Sequence, residues 1–234
     1  MSARRLAKEQ PDYKMSASAT KQIKAWMKKY PKDRSRSAMI PALWIIQKDV
    51  ARQSGAGGWL PEAALRALGD MLDTPYIRIY EVATFYTMFN LQPVGKHHIQ
   101  VCGTTPCWLR GAGDITKVCT DKIGPKGGVS DDGQFSWIEV ECLGACTNAP
   151  MLQISNVDGD DYYEDLTIES FTALLDDLAT GKKIEPGPQN SRHTSEAEGG
   201  AGSLTTKGLY NKVKKKKLPN SKSSKRAPKK KVTS

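Results

Sequence analysis

No apolar run in the 234 residues approaches the length needed to cross a bilayer: the richest, Ala42-Leu-Trp-Ile-Ile46, falls far short of about twenty residues. There is no G-x-x-x-x-G-K-[ST] loop, no G-x-G-x-x-G fingerprint and no G-x-S-x-G elbow. Nothing here therefore points to NADH or flavin binding on this chain, or to a serine nucleophile. C-x-x-C is missing too, which excludes a thioredoxin-type dithiol. Five cysteines are too few, and odd in number, for a disulfide framework. The opening MSARRLAKEQPDYK has no apolar h-region, and Glu9 and Asp12 do not suit a transit peptide. The expectation is a chain of a reducing compartment without a leader, which leans toward a bacterial source.

Acidic residues are missing from one place in particular. Between Thr205 and Ser234 there are twelve Lys or Arg and no Asp or Glu. The net charge of +10 belongs to this tail, because the rest holds 23 basic against 25 acidic residues. Its KKKK and PKKK runs carry no site chemistry. They read as a solvated disordered extension, or as a contact for an acidic neighbouring subunit or anionic lipid.

Periodicity divides what remains. Residues 1–18 are polar and unpatterned, and 19–92 read as a helical bundle. Ile23, Trp26 and Met27 recur at helical spacing. Ser37 precedes the run with Ile40, Leu43, Trp44 and Ile45, with Pro41 in the first turn. Pro61 opens a helix with Ala64, Leu65, Leu68, Met71 and Leu72 on one stripe, and a third segment covers Ile79–Phe89. From 93 to 184 the order is β-α-β-β-β-α: a strand His98–Cys102, a helix Trp108–Ile123 with Leu109, Ala112, Ile115 and Cys119 on one face, and an alternating strand Phe135–Cys142. Two short strands near Met151–Ile154 and Tyr162–Asp165 follow, then a helix from Thr167. The fold class is α/β (α+β), with 185–234 as an extended tail.

Chemistry concentrates in four thiols. Cys102 and Cys107 are separated by four residues, Cys142 and Cys146 by three, and 34 lie between the pairs. Each pair is expected where a strand gives way to a loop. Cys107 is expected just ahead of a helix N-terminus, where free amides favour a thiolate. Gly103 and Gly144 would let N–H groups approach sulfur. Structural zinc prefers tighter knuckles, whereas a two-iron cluster lets each iron take its own pair. Spacing favours a [2Fe–2S] cluster and leaves zinc and unligated thiols as alternatives. Cys119 reads as a packing residue, and His97 and His98 as ordinary surface residues.

The run Asp132-Gly-Gln-Phe-Ser-Trp-Ile-Glu-Val-Glu-Cys142-Leu-Gly-Ala-Cys146-Thr-Asn-Ala-Pro150 resembles the D-x-x-F-[ST]-x₅-C-L-G-x-C-x-x-[AG]-P signature of a family. That family is the thioredoxin-like [2Fe–2S] subunit of NADH:quinone oxidoreductase, respiratory complex I. CGTTPCWLRGA and YEVATFYTMF resemble its upstream cysteine motif and its helical front section. The resemblance runs from about residue 20 to residue 190. It implies a helical bundle followed by a thioredoxin-like [2Fe–2S] ferredoxin domain, with Cys102, Cys107, Cys142 and Cys146 as the cluster ligands. It implies partners as well: a flavoprotein subunit carrying FMN and NADH, with which single electrons are exchanged, and the large iron–sulfur subunit of the peripheral arm. The implied place is peripheral, on the cytoplasmic side of a bacterial inner membrane or the matrix side of a mitochondrial one. A one-electron acceptor there would shorten the life of a flavin radical. Thioredoxin-like folds also carry a cis-proline before the third strand, so Ala149–Pro150 is expected to be cis.

Two other readings use the same residues. The equivalent subunit of an NAD-linked hydrogenase or formate dehydrogenase shares these motifs. An iron–sulfur DNA-binding regulator could place a helix-turn-helix around Asp73-Thr-Pro75. A recognition helix needs exposed polar residues, and the segment with Val82, Phe85, Tyr86 and Phe89 lacks them, so no specific nucleic acid is expected.

Overall fold

The computed structural model describes residues 5–190, 192, 194–197, 202–203 and 205–206. Every element of the fold lies in the compact unit Met1–Ser195. The expected disorder of the basic run at 207–234 falls outside the described residues.

Four helices form the front. Helix α1 (Ala17–Met27) starts where the Ser16 hydroxyl accepts from Ala19 N–H. A 3₁₀ stretch, Lys32–Ala38, leads into α2 (Met39–Ser54), whose first turn holds Pro41. Gly55 ends α2 at φ 71°, in the left-handed region that an L side chain resists. Helix α3 (Glu62–Leu72) follows Pro61, and α4 (Tyr76–Phe85) follows Pro75, three residues earlier than the pattern around Ile79 suggests. Ile23, Leu43, Ile46, Leu65, Leu68, Leu72, Ile79 and Phe89 meet in one fully or almost fully buried cluster. Each such side chain contributes about 1.5–3 kcal/mol by leaving water. The unpatterned segment ahead of α1 is held by a buried carboxylate: Asp49 accepts from Tyr13 Oη at 2.7 Å and Ser16 Oγ at 2.6 Å. Burial pushes the Asp49 carboxyl up, but these bonds and one from Gln53 outweigh it and hold it below the usual carboxylate range.

Behind the helices stands a five-stranded sheet in the order β2-β1-β3-β4-β5. Strand β1 (His97–Cys102) leads through α5 (Thr105–Leu109) and α6 (Ala112–Lys122) to β2 (Phe135–Val140), which lies parallel to it. Strands β3 (Leu152–Ser155) and β4 (Asp160–Glu164) add antiparallel neighbours, and α7 (Ile168–Ala179) returns over the sheet. Thr167 caps α7 with a reciprocal bond pair to Ser170. Ile99, Val101, Ile115, Cys119, Leu152, Phe171 and Leu175 fill the core between sheet and helices.

Four expectations need correction. The single helix at Trp108–Ile123 is two, because Gly111 at φ 101° breaks the chain between α5 and α6. Leu109 therefore leaves the apolar face and is exposed, as is Trp108. His97 and His98 are not surface residues but are 8% and 3% exposed. Their strand is interior to the sheet, and the helical section covers the end where they lie: His97 packs on Phe135, and His98 Nδ1 lies 2.8 Å from Ser136 Oγ. In β2 the fully buried side chains are Phe135, Ser136 and Trp137, while Ile138 and Val140 are half-buried and the strand stops before Cys142. Finally, Gly187–Pro188, placed in the tail by composition, pairs with β4 as the short strand β5.

Helical section and sheet meet along a polar seam. Lys48 of α2 donates to the carbonyls of Asn156 (2.6 Å) and Gly159 (3.2 Å) and pairs with Asp160 at 3.1 Å. Gly95 N–H donates to Ser136 Oγ at 2.8 Å. A methyl group on Gly95 would collide with the backbone of Phe135. Gly95→Ala is therefore expected to cost about 1–3 kcal/mol in chemical denaturation, the usual cost of overpacking; an unchanged midpoint would show that the seam yields. Burial also depresses the His98 imidazole to about 4. The unfolded chain takes up this proton below about pH 6.5 and the folded chain only below about 4, so stability is fully present above 6.5 and falls as pH drops through that window. Melting temperatures between pH 7.5 and 4.5 should fall less steeply for His98→Gln than for wild type. Equal slopes would assign the loss to other groups.

Candidate metal centre

The two parallel strands deliver the cysteines. Cys102 is the last residue of β1 and lies in register with Val140, the last residue of β2, so Cys142 follows two residues beyond the same sheet end. Strand β3 runs the other way and begins at that end, where Cys102 N–H donates to Met151 carbonyl at 3.3 Å. The Ala149–Pro150 bond entering β3 is cis. Cys146 opens a short 3₁₀ turn, Cys146–Asn148, which leads into that bond. Loops from three strand ends thus surround one spot.

Cys107 sits inside the five-residue helix α5, not ahead of a helix. The thiolate expected of it is also not favoured. Burial, then the bond with Cys102, pushes its thiol up to about 12. Burial works the same way on Cys102, but bonds from the Thr104 hydroxyl and the Thr104 and Leu143 N–H groups outweigh it and bring that thiol below its ordinary value. The second pair repeats the pattern at the surface. Cys142 is lowered, first by the Gly144 N–H bond and then by Cys146, and Cys146 is raised by its bond to Cys142. Each pair thus behaves as a thiol leaning on a thiolate. The pairs also feel each other: the charge of Cys102 raises Cys107, Cys142 and Cys146. Thr104 links them physically, with its hydroxyl 3.4 Å from Cys102 Sγ and bonded to Cys142 as well.

The donor set suits a soft-metal group. Cys142 and Cys146 sulfurs stand 3.7 Å apart, and two thiolates about 2.3 Å from one tetrahedral ion would stand about 3.8 Å apart. Among the described residues no group of three or more His, Cys, Asp or Glu side chains meets so as to hold one ion, and the thiols stand as two pairs. Cys102 and Cys107 are buried, Cys142 and Cys146 exposed. Backbone N–H groups of Thr104, Leu143, Gly144 and Met151 point at sulfur. Gly144 can do so because it holds φ 84°, and its N–H reaches Cys142 Sγ at 3.4 Å. Gly103 does not share that role, since its N–H goes to Val140 carbonyl. Cys119 lies apart in the sheet core, and burial pushes its thiol up to about 12.

Thr104, Leu143 and Met151 escape sequence reading because they act through backbone groups or through a hydroxyl placed by the turn. Asn148 escapes too, although it stands within the cysteine motif: it is buried and bonded to Asp165 Oδ2 at 2.9 Å. A buried amide gives no periodic signal.

Comparison with known proteins gives the family of the chain. The family model for thioredoxin-like [2Fe–2S] ferredoxin matches residues 23–179. The E subunit of NADH-quinone oxidoreductase from Rickettsia bellii (strain RML369-C) is 58% identical over 153 residues, covering 65% of this chain and 86% of that protein. The E 1 subunit of NADH-quinone oxidoreductase from Rhizobium meliloti (strain 1021) is 44% identical over 227 residues, covering 93% and 76%. Among solved structures, the air-oxidized NAD+-reducing [NiFe]-hydrogenase aligns with a TM-score of 0.48 at 19% identity, covering 61% of this chain and 23% of that one. The thioredoxin-like [2Fe–2S] ferredoxin from Aquifex aeolicus aligns with a TM-score of 0.32 at 20% identity, over 38% of this chain and 92% of that one. By the extent of the family match and the identity of these relatives, the chain belongs to the thioredoxin-like [2Fe–2S] ferredoxin family, as a homologue of the NADH-quinone oxidoreductase E subunits.

Proposed function

We propose that this chain is the electron-transfer subunit of an NADH:quinone oxidoreductase, holding one [2Fe–2S] cluster on Cys102, Cys107, Cys142 and Cys146. It would exchange single electrons with the FMN of a neighbouring NADH-oxidising subunit. The observation that carries this reading is the meeting of two cysteine pairs at one sheet end, on the strand ends that parallel pairing puts side by side. The high-identity relatives favour this complex over the hydrogenase and formate dehydrogenase alternatives.

A bound all-cysteine two-iron cluster supplies reversible one-electron chemistry at a potential set by its surroundings. The chain's own groups create those surroundings. N–H groups of Thr104, Leu143, Gly144 and Met151 stabilise negative charge on sulfur, which favours the more negative, reduced state. The buried pair excludes water from one side, and the exposed pair leaves the other side open to a partner. Trp108 and Leu109, which follow Cys107 in α5, are exposed apolar side chains. No nucleotide or flavin site is needed here, because hydride oxidation belongs to the flavoprotein subunit. The large iron–sulfur subunit is the second partner. Among the described residues no helix is long and apolar enough to cross a membrane. The proposed place is peripheral, on the cytoplasmic or matrix side. The basic tail would meet an acidic subunit surface or anionic lipid.

Purified without oxygen, the chain should contain two irons and two acid-labile sulfides and give an S = ½ EPR signal after dithionite reduction. Cys142→Ala, which leaves no donor atom at an exposed position, should abolish the signal, whereas Cys119→Ala should keep it. Zinc without iron would turn the four thiols into a structural clasp and overturn the electron-transfer reading.

A further inference from the structure

The short segment after α7 lies beyond residues 23–179 of the family match, yet it reaches back to the turn that carries Cys146. It is anchored by β5, which pairs with β4, and by Gln189 N–H donating to Glu164 carbonyl at 2.9 Å. From there Arg192 Nη1 donates to Thr147 carbonyl at 2.8 Å. Arg192 Nε faces Asp165 Oδ2 at 3.4 Å as an ion pair, with the side chains only 9% and 5% exposed. Asp165 Oδ2 also accepts from Asn148 Nδ2 at 2.9 Å, and the same amide donates to Thr194 carbonyl at 2.8 Å. Asp165 N–H closes the set on Asn148 carbonyl at 2.8 Å.

These attachments fall on Thr147 and Asn148, the two residues that follow Cys146, and on the corner between β4 and α7. The bonds of Arg192 and Asn148 do not fall on either apolar core, whereas Ile184, earlier in the segment, packs on the sheet core. Burying a carboxylate is costly unless it is paired with a cation and hydrogen-bonded, and Arg192 and Asn148 supply those partners to Asp165. A guanidinium can serve a carbonyl and a carboxylate from one rigid plane, which an ammonium cannot. We propose that Arg192, acting through Asp165 and Asn148, is a positioning residue for the metal centre. It orders the Cys146 turn before metal arrives and slows metal loss afterwards. The inference rests on the cluster reading above and adds to it a hold on one ligand from outside the family domain.

The test uses the full chain in two states. Without metal, Arg192→Ala should raise the hydrogen-exchange rates of the Asn148 and Asp165 amides about tenfold or more. Loaded with iron and sulfide, the same variant should lose iron to a ferrous chelator about tenfold to hundredfold faster than wild type. Arg192→Lys, which keeps the charge without the fork, should resemble Arg192→Ala. Lys182→Ala, which removes an exposed pair with Asp177, should match wild type in both. Unchanged exchange overturns the proposal, and so does faster exchange with unchanged iron loss, because the network would then serve the fold alone. Arg192→Lys matching wild type overturns it as well, since charge would suffice. Failure of the cluster reading shows in a different sample, as a wild-type chain that takes up no iron and sulfide.

Discussion

The parallel pairing of β1 with β2 is the constraint on which the site depends. Parallel neighbours place their C-terminal ends at the same edge of the sheet, so Cys102 and Val140 stand opposite each other and Cys142 follows immediately. A parallel pair needs a crossover, and α5 and α6 provide it. Cys107 lies at the start of that crossover, in α5, five residues after β1 ends. Antiparallel pairing of the same strands would put the two cysteine motifs at opposite ends of the sheet.

Two pairs of thiols at one sheet end are an electrostatic problem, and the fold solves it unevenly. Full ionisation would set like charges side by side, and burial of Cys107 together with the hydrogen bond inside each pair leaves one thiol lowered and its neighbour raised. The lowered member of each pair receives the Thr104 hydroxyl and backbone N–H donors, from Thr104 and Leu143 at Cys102 and from Gly144 at Cys142. A positively charged group replacing the protons would relieve the repulsion and keep those donors in use, which is how metal binding couples to thiol ionisation. Burying one pair while exposing the other reconciles a protected centre with access from a partner.

The same economy appears away from the site. Buried polar residues fall where elements are joined rather than inside either apolar cluster. Asp49 ties the N-terminal segment to α2, Ser136 and His98 line the seam, and Asn148 with Asp165 joins the Cys146 turn to the corner before α7. Hydrogen bonds are directional where apolar contacts are not, so they fix registers and corners that packing alone would leave loose.

Much of this was legible in the chain. Proline and glycine positions marked the helix starts and stops, the period changed from helical to strand after Gly95, and the cysteine spacing with its surrounding motif named the family and the fold. These signals are local, and so a sequence carries them whole. What the sequence missed were relations between distant segments: the burial of His97 and His98, the break at Gly111, the return of Gly187–Pro188 to the sheet, and the bonds from Arg192 to Thr147 and Asp165. Histidine, glycine and arginine have no fixed place in a hydrophobic pattern, and their roles depend on what lies across from them in space. Sequence alone determined the kinds of element and offered four thiols as candidates to hold a soft metal. Only the tertiary structure decided which thiols are covered and which exposed, because that depends on how strands far apart in the chain pair and on which loops close over their ends.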